Sequence, residues 1–314
     1  MQKNKVISAS LAFIISFLFS QIATVLVIVF ALIFGKLFSI QSNTIYIFFD
    51  TAFGYLILTL CLDLALVIVA LFFNKHIKEE KPQTNNENVA KETNQTQTNN
   101  KKNKLNFKKV ALYILLAVCA FILLYPIVNS VDILLIKLGF KPTALPYQLD
   151  TKGFIISLFS LVILPAICEE ILFRGVIFKG FKQYGKIFSI TLSTLAFAIF
   201  HMSIFQTVYP ILMGLLLAGI MYREDNILYC IIVHGVSNLI ALLVAYFGIN
   251  LVFYNAIYYI LAVLLLALFV TFLSFYIKKT KIQSKTKLKK EEIITIVVVF
   301  IIMIILWIIL NIIR

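Results

Sequence analysis

Histidine, cysteine and acidic side chains are scarce in this chain, and each shortage narrows what it can do. Of 314 residues only 3 are histidine, so any imidazole chemistry must draw on His76, His201 or His234. The 4 cysteines, Cys61, Cys119, Cys168 and Cys230, each fall inside an apolar run. They have no pair spacing, which excludes a disulfide framework and a zinc knuckle, and they read as buried small hydrophobes. Charged residues make up 13% of the chain against 61% hydrophobic, and the mean hydropathy is +1.00. No soluble domain has this balance; long apolar runs read as membrane spans. No internal repeat is visible.

Taking about 20 apolar residues per crossing, spans are predicted near 6–34, 44–73, 110–136, 153–178, 187–206, 207–222, 226–247, 251–277 and 293–313. The fold class is therefore all-α, a polytopic transmembrane helical bundle of 8–9 spans. Lys3 and Lys5 precede the first run, which is too long for a signal-peptide core and reads as a retained span. Lys and Arg outnumber Asp and Glu 28 to 14, a formal charge of +14. In a soluble protein that would suggest nucleic acid. With nine spans and the N-terminus in the cytoplasm, 23 of the 28 basic residues fall on the cytoplasmic side. Anionic lipid then accounts for the excess, and no nucleic-acid partner is needed.

Four regions follow. Residues 1–73 form an N-terminal transmembrane hairpin. Residues 74–109 hold a polar Asn-, Thr-, Gln- and Lys-rich stretch with too little apolar surface to fold, a disordered cytoplasmic linker. His76 belongs there and reads as solvated. Residues 110–277 form the main bundle, with its motifs between 150 and 247. Residues 278–314 are a basic segment and a last span. Asp50 and Asp63 lie in the second span, and both read first as structural.

Within the fourth span the chain reads Cys168-Glu169-Glu170-Ile171-Leu172-Phe173-Arg174-Gly175. Ionisable groups in lipid are expensive and mark functional sites. Glu170 and Arg174 are four apart and share a helix face, acid first, the better order for a pair. Glu169 lies about 100° round the helix and is left free. Pro165 removes a backbone hydrogen bond, and the carbonyl it frees must find a partner, which favours a cavity. Phe197 and His201 share a face of the fifth span; His234 and Asn238 share one of the seventh, where Gly235 permits close approach. A rise of about 1.5 Å per residue puts Glu169, His234 and His201 roughly 15, 12 and 20 Å from the cytoplasmic side.

This set suits hydrolysis. A carboxylate shielded from bulk water can take a proton from a bound water, and His and Asn donors can stabilise the oxyanion that forms on the attacked carbonyl. Glu169, His201 and His234 are also a possible zinc set. Lacking a His-Glu-x-x-His helix, and with Glu170 occupied by Arg174, the residues favour glutamate with water and require no cofactor. Two other readings stay open: a non-catalytic membrane scaffold, and a small transporter with Glu169, His201 and His234 as a proton relay.

Together the three pieces resemble the CAAX-protease and bacteriocin-processing family of intramembrane endopeptidases, also called the Abi family. Its ordered pattern, Glu-Glu-x-x-x-Arg, Phe-x-x-x-His and His-x-x-x-Asn, matches Glu169-Glu170 with Arg174, Phe197 with His201, and His234 with Asn238. The resemblance implies a helical membrane protease whose site opens toward the cytoplasm. It implies that Glu169 activates water, that His201, His234 and Asn238 bind the carbonyl or oxyanion, and that Glu170 and Arg174 hold the site together. The family is often labelled metalloprotease, and a metal-free glutamate mechanism is also proposed for it. Its eukaryotic members cut prenylated tails. The Lys-, Asn- and Ile-heavy composition reads as bacterial, so the resemblance points to a membrane-associated peptide or protein substrate in peptide maturation, bacteriocin immunity or signal processing, with the bilayer as the other partner.

Overall fold

A helix begins where a side chain can cap it, and Asn4 does so here by accepting a hydrogen bond from the Ile7 backbone N–H. Helix α1 (Lys5–Leu37) then runs for 33 residues. Only its first half has a buried stripe: Val6, Ala9, Phe13, Phe17 and Ser20. Small residues on that stripe let the next helix approach closely. Ser16 and Ser20 donate their hydroxyls to the carbonyls of Phe13 and Phe17, so neither is left unpaired in an apolar setting. The second half turns large apolar side chains such as Val25, Leu26 and Phe30 outward, as expected where the surrounding solvent is lipid.

The computed structural model describes residues 4–77, 105–142, 145–249 and 287–313, with single positions between 260 and 271. Most of the polar linker, the span expected at 251–277 and most of the basic segment after it lie outside the described residues. Among the described residues every regular element is a helix.

The span expected at 44–73 is broken. Helix α2 (Ser42–Phe49) stops and α3 (Ala52–Ile77) starts afresh. Thr51 makes the break: its Oγ1 accepts from the Gly54 N–H and donates to the Phe48 carbonyl, a local cap that competes with a continuous helix. Asp50 is exposed at this break. His76, at the foot of α3, packs against the rings of Phe72 and Phe73.

Helix α4 (Phe107–Lys137) is capped by Asn106. The long α5 (Thr151–Tyr184), α8 (Ile227–Tyr246) and α9 (Lys290–Ile313) join α1, α3 and α4 as six helices long and apolar enough to cross a membrane. The other two expected spans are short. Helix α6 (Lys186–Phe200) has 15 residues and α7 (Val208–Glu224) has 17. At about 1.5 Å per residue neither covers a hydrocarbon core of about 30 Å. They pack on each other as a hairpin. The turn between them, expected at 206/207, begins already after Phe200, where Met202 adopts φ 48°.

Helix α5 is the centre. It packs against α3 on one side and α8 on the other. Leu172, Phe173, Val176, Ile177 and Phe181 join a core built with α1, α3, α6 and α9. Phe178 joins a second core built with α4, α7 and α8. Arg174 is fully buried in this centre.

Candidate active site

Pro165 shapes α5. The helix widens to i→i+5 hydrogen bonding over Leu158–Ile163 and again over Phe173–Phe178, on either side of an α-helical stretch, Leu164–Leu172. Single π turns inside α-helices are often found at functional sites. Proline has no N–H to give the carbonyl four residues back, which is Leu161. Asn238 of α8 supplies the donor, its Nδ2 lying 3.0 Å from the Leu161 oxygen. The partner that the freed carbonyl needs is thus a motif residue. Asn238→Leu is expected to lower stability by about 1–3 kcal/mol, the cost of one orphaned buried carbonyl. Adding Pro165→Ala restores a backbone donor, so thermal melts in detergent should show the double variant recovering most of that loss.

The paired stretch Leu164–Leu172 carries both glutamates. Arg174 Nη1 donates to Glu170 Oε1 at 3.0 Å, and both side chains are fully buried. The guanidinium also lies 4.5 Å from the centre of the Phe197 ring and reaches the Gly214 carbonyl at 3.5 Å. The i,i+4 pair expected from the spacing is present. His234 of α8 joins it, its Nδ1 donating to the same Glu170 oxygen at 3.0 Å. Helices α5 and α8 meet here with Gly235 facing Ala166, where a Cβ would find ordinary contact at 3.6 Å. Close approach therefore does not demand the glycine.

Glu169 is separate from this network. Its Oε2 is buried and has no hydrogen-bond partner among the described residues. The nearest basic atom is His234 Nε2 at 3.9 Å, a gap that one bridging water can fill. His201 caps the end of α6, and its Nδ1 donates to the Phe197 carbonyl at 2.8 Å. The Phe197 ring stands edge-on to His201 at 5.0 Å and to His234 at 5.8 Å. Phe197 is thus the wall between the two imidazoles and the floor under Arg174.

These contacts fix both histidines in one tautomer. Each Nδ1–H is used on an oxygen acceptor, so each Nε2 presents a lone pair. A lone pair accepts a proton; it becomes a donor to an oxyanion only after taking one. Glu169, His201 and His234 carry suitable zinc-binding atoms, yet no three His, Cys, Asp or Glu side chains among the described residues converge closely enough to hold a metal ion. The set is not assembled for zinc in this arrangement.

Two residues outside the motifs lie on the helices around this site. Asp63 is buried on α3, which packs against the Leu164–Leu172 stretch; its signal is an ionisable residue in an apolar span. Asn311 of α9 accepts from the Ile204 N–H at 2.6 Å and donates to the Met202 carbonyl at 3.4 Å. It pins the turn that follows His201, and nothing in its sequence context announces this. Asn311→Leu is expected to speed hydrogen exchange at residues 202–207 and to cost about 1–3 kcal/mol from the lost bonds.

The family model described as Type II CAAX prenyl endopeptidase Rce1-like matches residues 151–240. That segment runs from the start of α5 to within α8 and contains all seven motif residues. No curated protein and no solved structure gives a significant match. The six apolar helices and this match make the chain an integral membrane protein with a segment similar to a peptidase family.

Proposed function

We propose that the chain is an intramembrane endopeptidase that hydrolyses peptide bonds of membrane-associated peptides or proteins, with a glutamate-activated water. The observation that carries this reading is the buried, unpartnered Glu169 Oε2, 3.9 Å from an imidazole nitrogen whose opposite edge is fixed by Glu170.

The chemistry follows from those atoms. A water between Glu169 Oε2 and His234 Nε2 meets two acceptors. Glu169 takes one proton as the water oxygen attacks the carbonyl carbon of the scissile bond. The oxyanion that forms is met by the second Nδ2–H of Asn238. Glu170 orients His234 through Nδ1, as a carboxylate orients the histidine of a hydrolytic triad, so that Nε2 accepts the second O–H of the water and holds it during attack. Glu169 then passes its proton to the departing nitrogen, the C–N bond breaks, and a carboxylic acid and an amine remain. His201 shares the orientation of His234 and acts from the end of α6. The site faces the cytoplasmic side in the orientation that the basic residues favour.

The test compares wild type with Glu169→Ala at equal levels in the membrane, by mass spectrometry of small peptides and membrane-protein termini. At least one terminus is expected only with wild type, and its sequence defines the substrate. If no terminus differs and a phenotype tied to the protein survives the substitution, hydrolysis is wrong and a binding scaffold takes its place.

A further inference from the structure

Helices α4 and α8 each end, just past the capping residue, in a left-handed glycine: Gly139 at φ 93° and Gly248 at φ 60°. Glycine is the usual residue there because it has no Cβ to clash. Helix α6 ends in the same way, but the residue is Met202, at φ 48°. The turn before it has already tightened. The N–H groups of His201 and Met202 donate to the carbonyls three residues back, Ala198 and Ile199. A side chain in this backbone region is strained, and it stays there only where its surroundings hold it. His201 is the residue immediately before.

The holding contacts come from α9. Asn311 accepts from the Ile204 N–H at 2.6 Å and donates to the Met202 carbonyl at 3.4 Å. Its Nδ2 also donates to the Trp307 carbonyl of its own helix at 2.7 Å, which fixes the plane of the amide. Phe300 and Met303 share a core with Phe200 and Met202. At the other end of α9, the buried Glu292 accepts at Oε2 from the Tyr184 hydroxyl, just ahead of α6, and from the Lys289 N–H, both at 2.7 Å. Helix α9 is thus bonded to the chain beyond both ends of α6, and it lies outside residues 151–240.

We propose that Asn311 is a positioning residue for the hydrolytic site: by holding the strained turn at Met202 it fixes where the end of α6 presents His201. This rests on the hydrolytic reading above and adds the last helix to the unit that performs it. The two ends of α9 allow a test, since both bonds anchor the same helix and only one adjoins His201.

The experiment uses the full chain in lipid nanodiscs and the peptide identified by its wild-type-specific terminus. Asn311→Leu, Tyr184→Phe, Met202→Gly/Asn311→Leu and Glu169→Gln are compared for kcat, KM and melting temperature. The ring nitrogen resonances of His201 are followed in the same samples, which is practical with only 3 histidines in the chain. Asn311→Leu is expected to lower kcat about 10- to 100-fold, the scale of a misplaced reactant, with KM within about twofold and with the His201 resonances shifted. Tyr184→Phe should melt lower, having lost a hydrogen bond, yet keep kcat and leave those resonances in place. In the double variant, glycine takes the left-handed conformation without strain, so the turn depends less on Asn311. The buried methionine side chain is lost at the same time and leaves a cavity. That variant should melt below Asn311→Leu and still turn over faster, a divergence that a purely structural role does not produce. Wild-type kcat in Asn311→Leu with Glu169→Gln inactive would overturn this proposal alone. So would a double variant no faster than Asn311→Leu, or an equal kcat loss in Tyr184→Phe. Unmoved His201 resonances in Asn311→Leu would overturn the positioning whatever the rate. An active Glu169→Gln would overturn the hydrolytic reading and, with it, the catalytic part of this one.

Discussion

Glu170→Ala should leave little folded protein in the membrane. Among the described residues the substitution removes the only anion bonded to Arg174, which is fully buried. The guanidinium cannot escape to water, and its remaining contacts are the 3.5 Å approach to the Gly214 carbonyl and the face of Phe197. Removing one partner of a buried pair costs about 3–5 kcal/mol, because an uncompensated charge stays behind, and that is a large share of a domain's total stability. Replacing both partners with apolar groups of similar volume does not leave such a charge. Glu170→Leu/Arg174→Met is therefore expected to accumulate far better than Glu170→Ala and to melt within a few degrees of wild type in detergent. It should nevertheless be inactive, since His234 loses the acceptor on Nδ1 that sets its tautomer. A double variant that melts as low as Glu170→Ala would show that packing, not charge, dominates here.

The adjacent residue should behave in the opposite way. Glu169→Gln is nearly isosteric, and the Oε2 it alters has no partner to lose. Membrane level and melting temperature are expected to match or exceed wild type. Turnover of the identified peptide should fall about 100- to 10,000-fold, the range for removing a positioned general base. An amide at this position still fills space and still touches water; it cannot take the proton. Two glutamates adjacent in sequence thus separate into one that holds the fold and one that is costly to the fold. That separation can be measured on the same preparations, with stability on one axis and rate on the other.

How much of this was legible beforehand depended on which rule applied. The Glu170–Arg174 pair, the freedom of Glu169 and the meeting of Phe197 with His201 came from i,i+4 spacing, which is a property of the helix alone. Long helices came from hydropathy. The length of the fifth and sixth spans did not. In lipid, apolar residues are favourable both against protein and against the bilayer, so hydropathy does not set where each helix ends, although Ser203, Gln206, Thr207 and Pro210 mark a turn between the two. For the same reason hydropathy does not say which face of α3 meets α5. Asp63 is visible as an ionisable residue in an apolar span, but not the depth of its burial. Asn238 was aimed correctly into the interior but was assigned to substrate alone; its bond to the Leu161 carbonyl depends on a proline in another helix. Asn311 depends on a turn more than 100 residues away.

The sharing of α5 between two cores has a consequence in time. Glu170 and Arg174 are four residues apart, so their charges can neutralise each other within a helical turn, as soon as α5 forms. His234 lies 64 residues further along the chain. At about 5–20 residues per second the ribosome delivers it several seconds later, and Asn311 later again. Throughout that interval the half-made protein holds a closed charge pair and a glutamate with no imidazole beside it. On the hydrolytic reading proposed above, the order of the motifs along the chain keeps the nascent protein inert: Glu169 gains its imidazole neighbour only when α8 has been made.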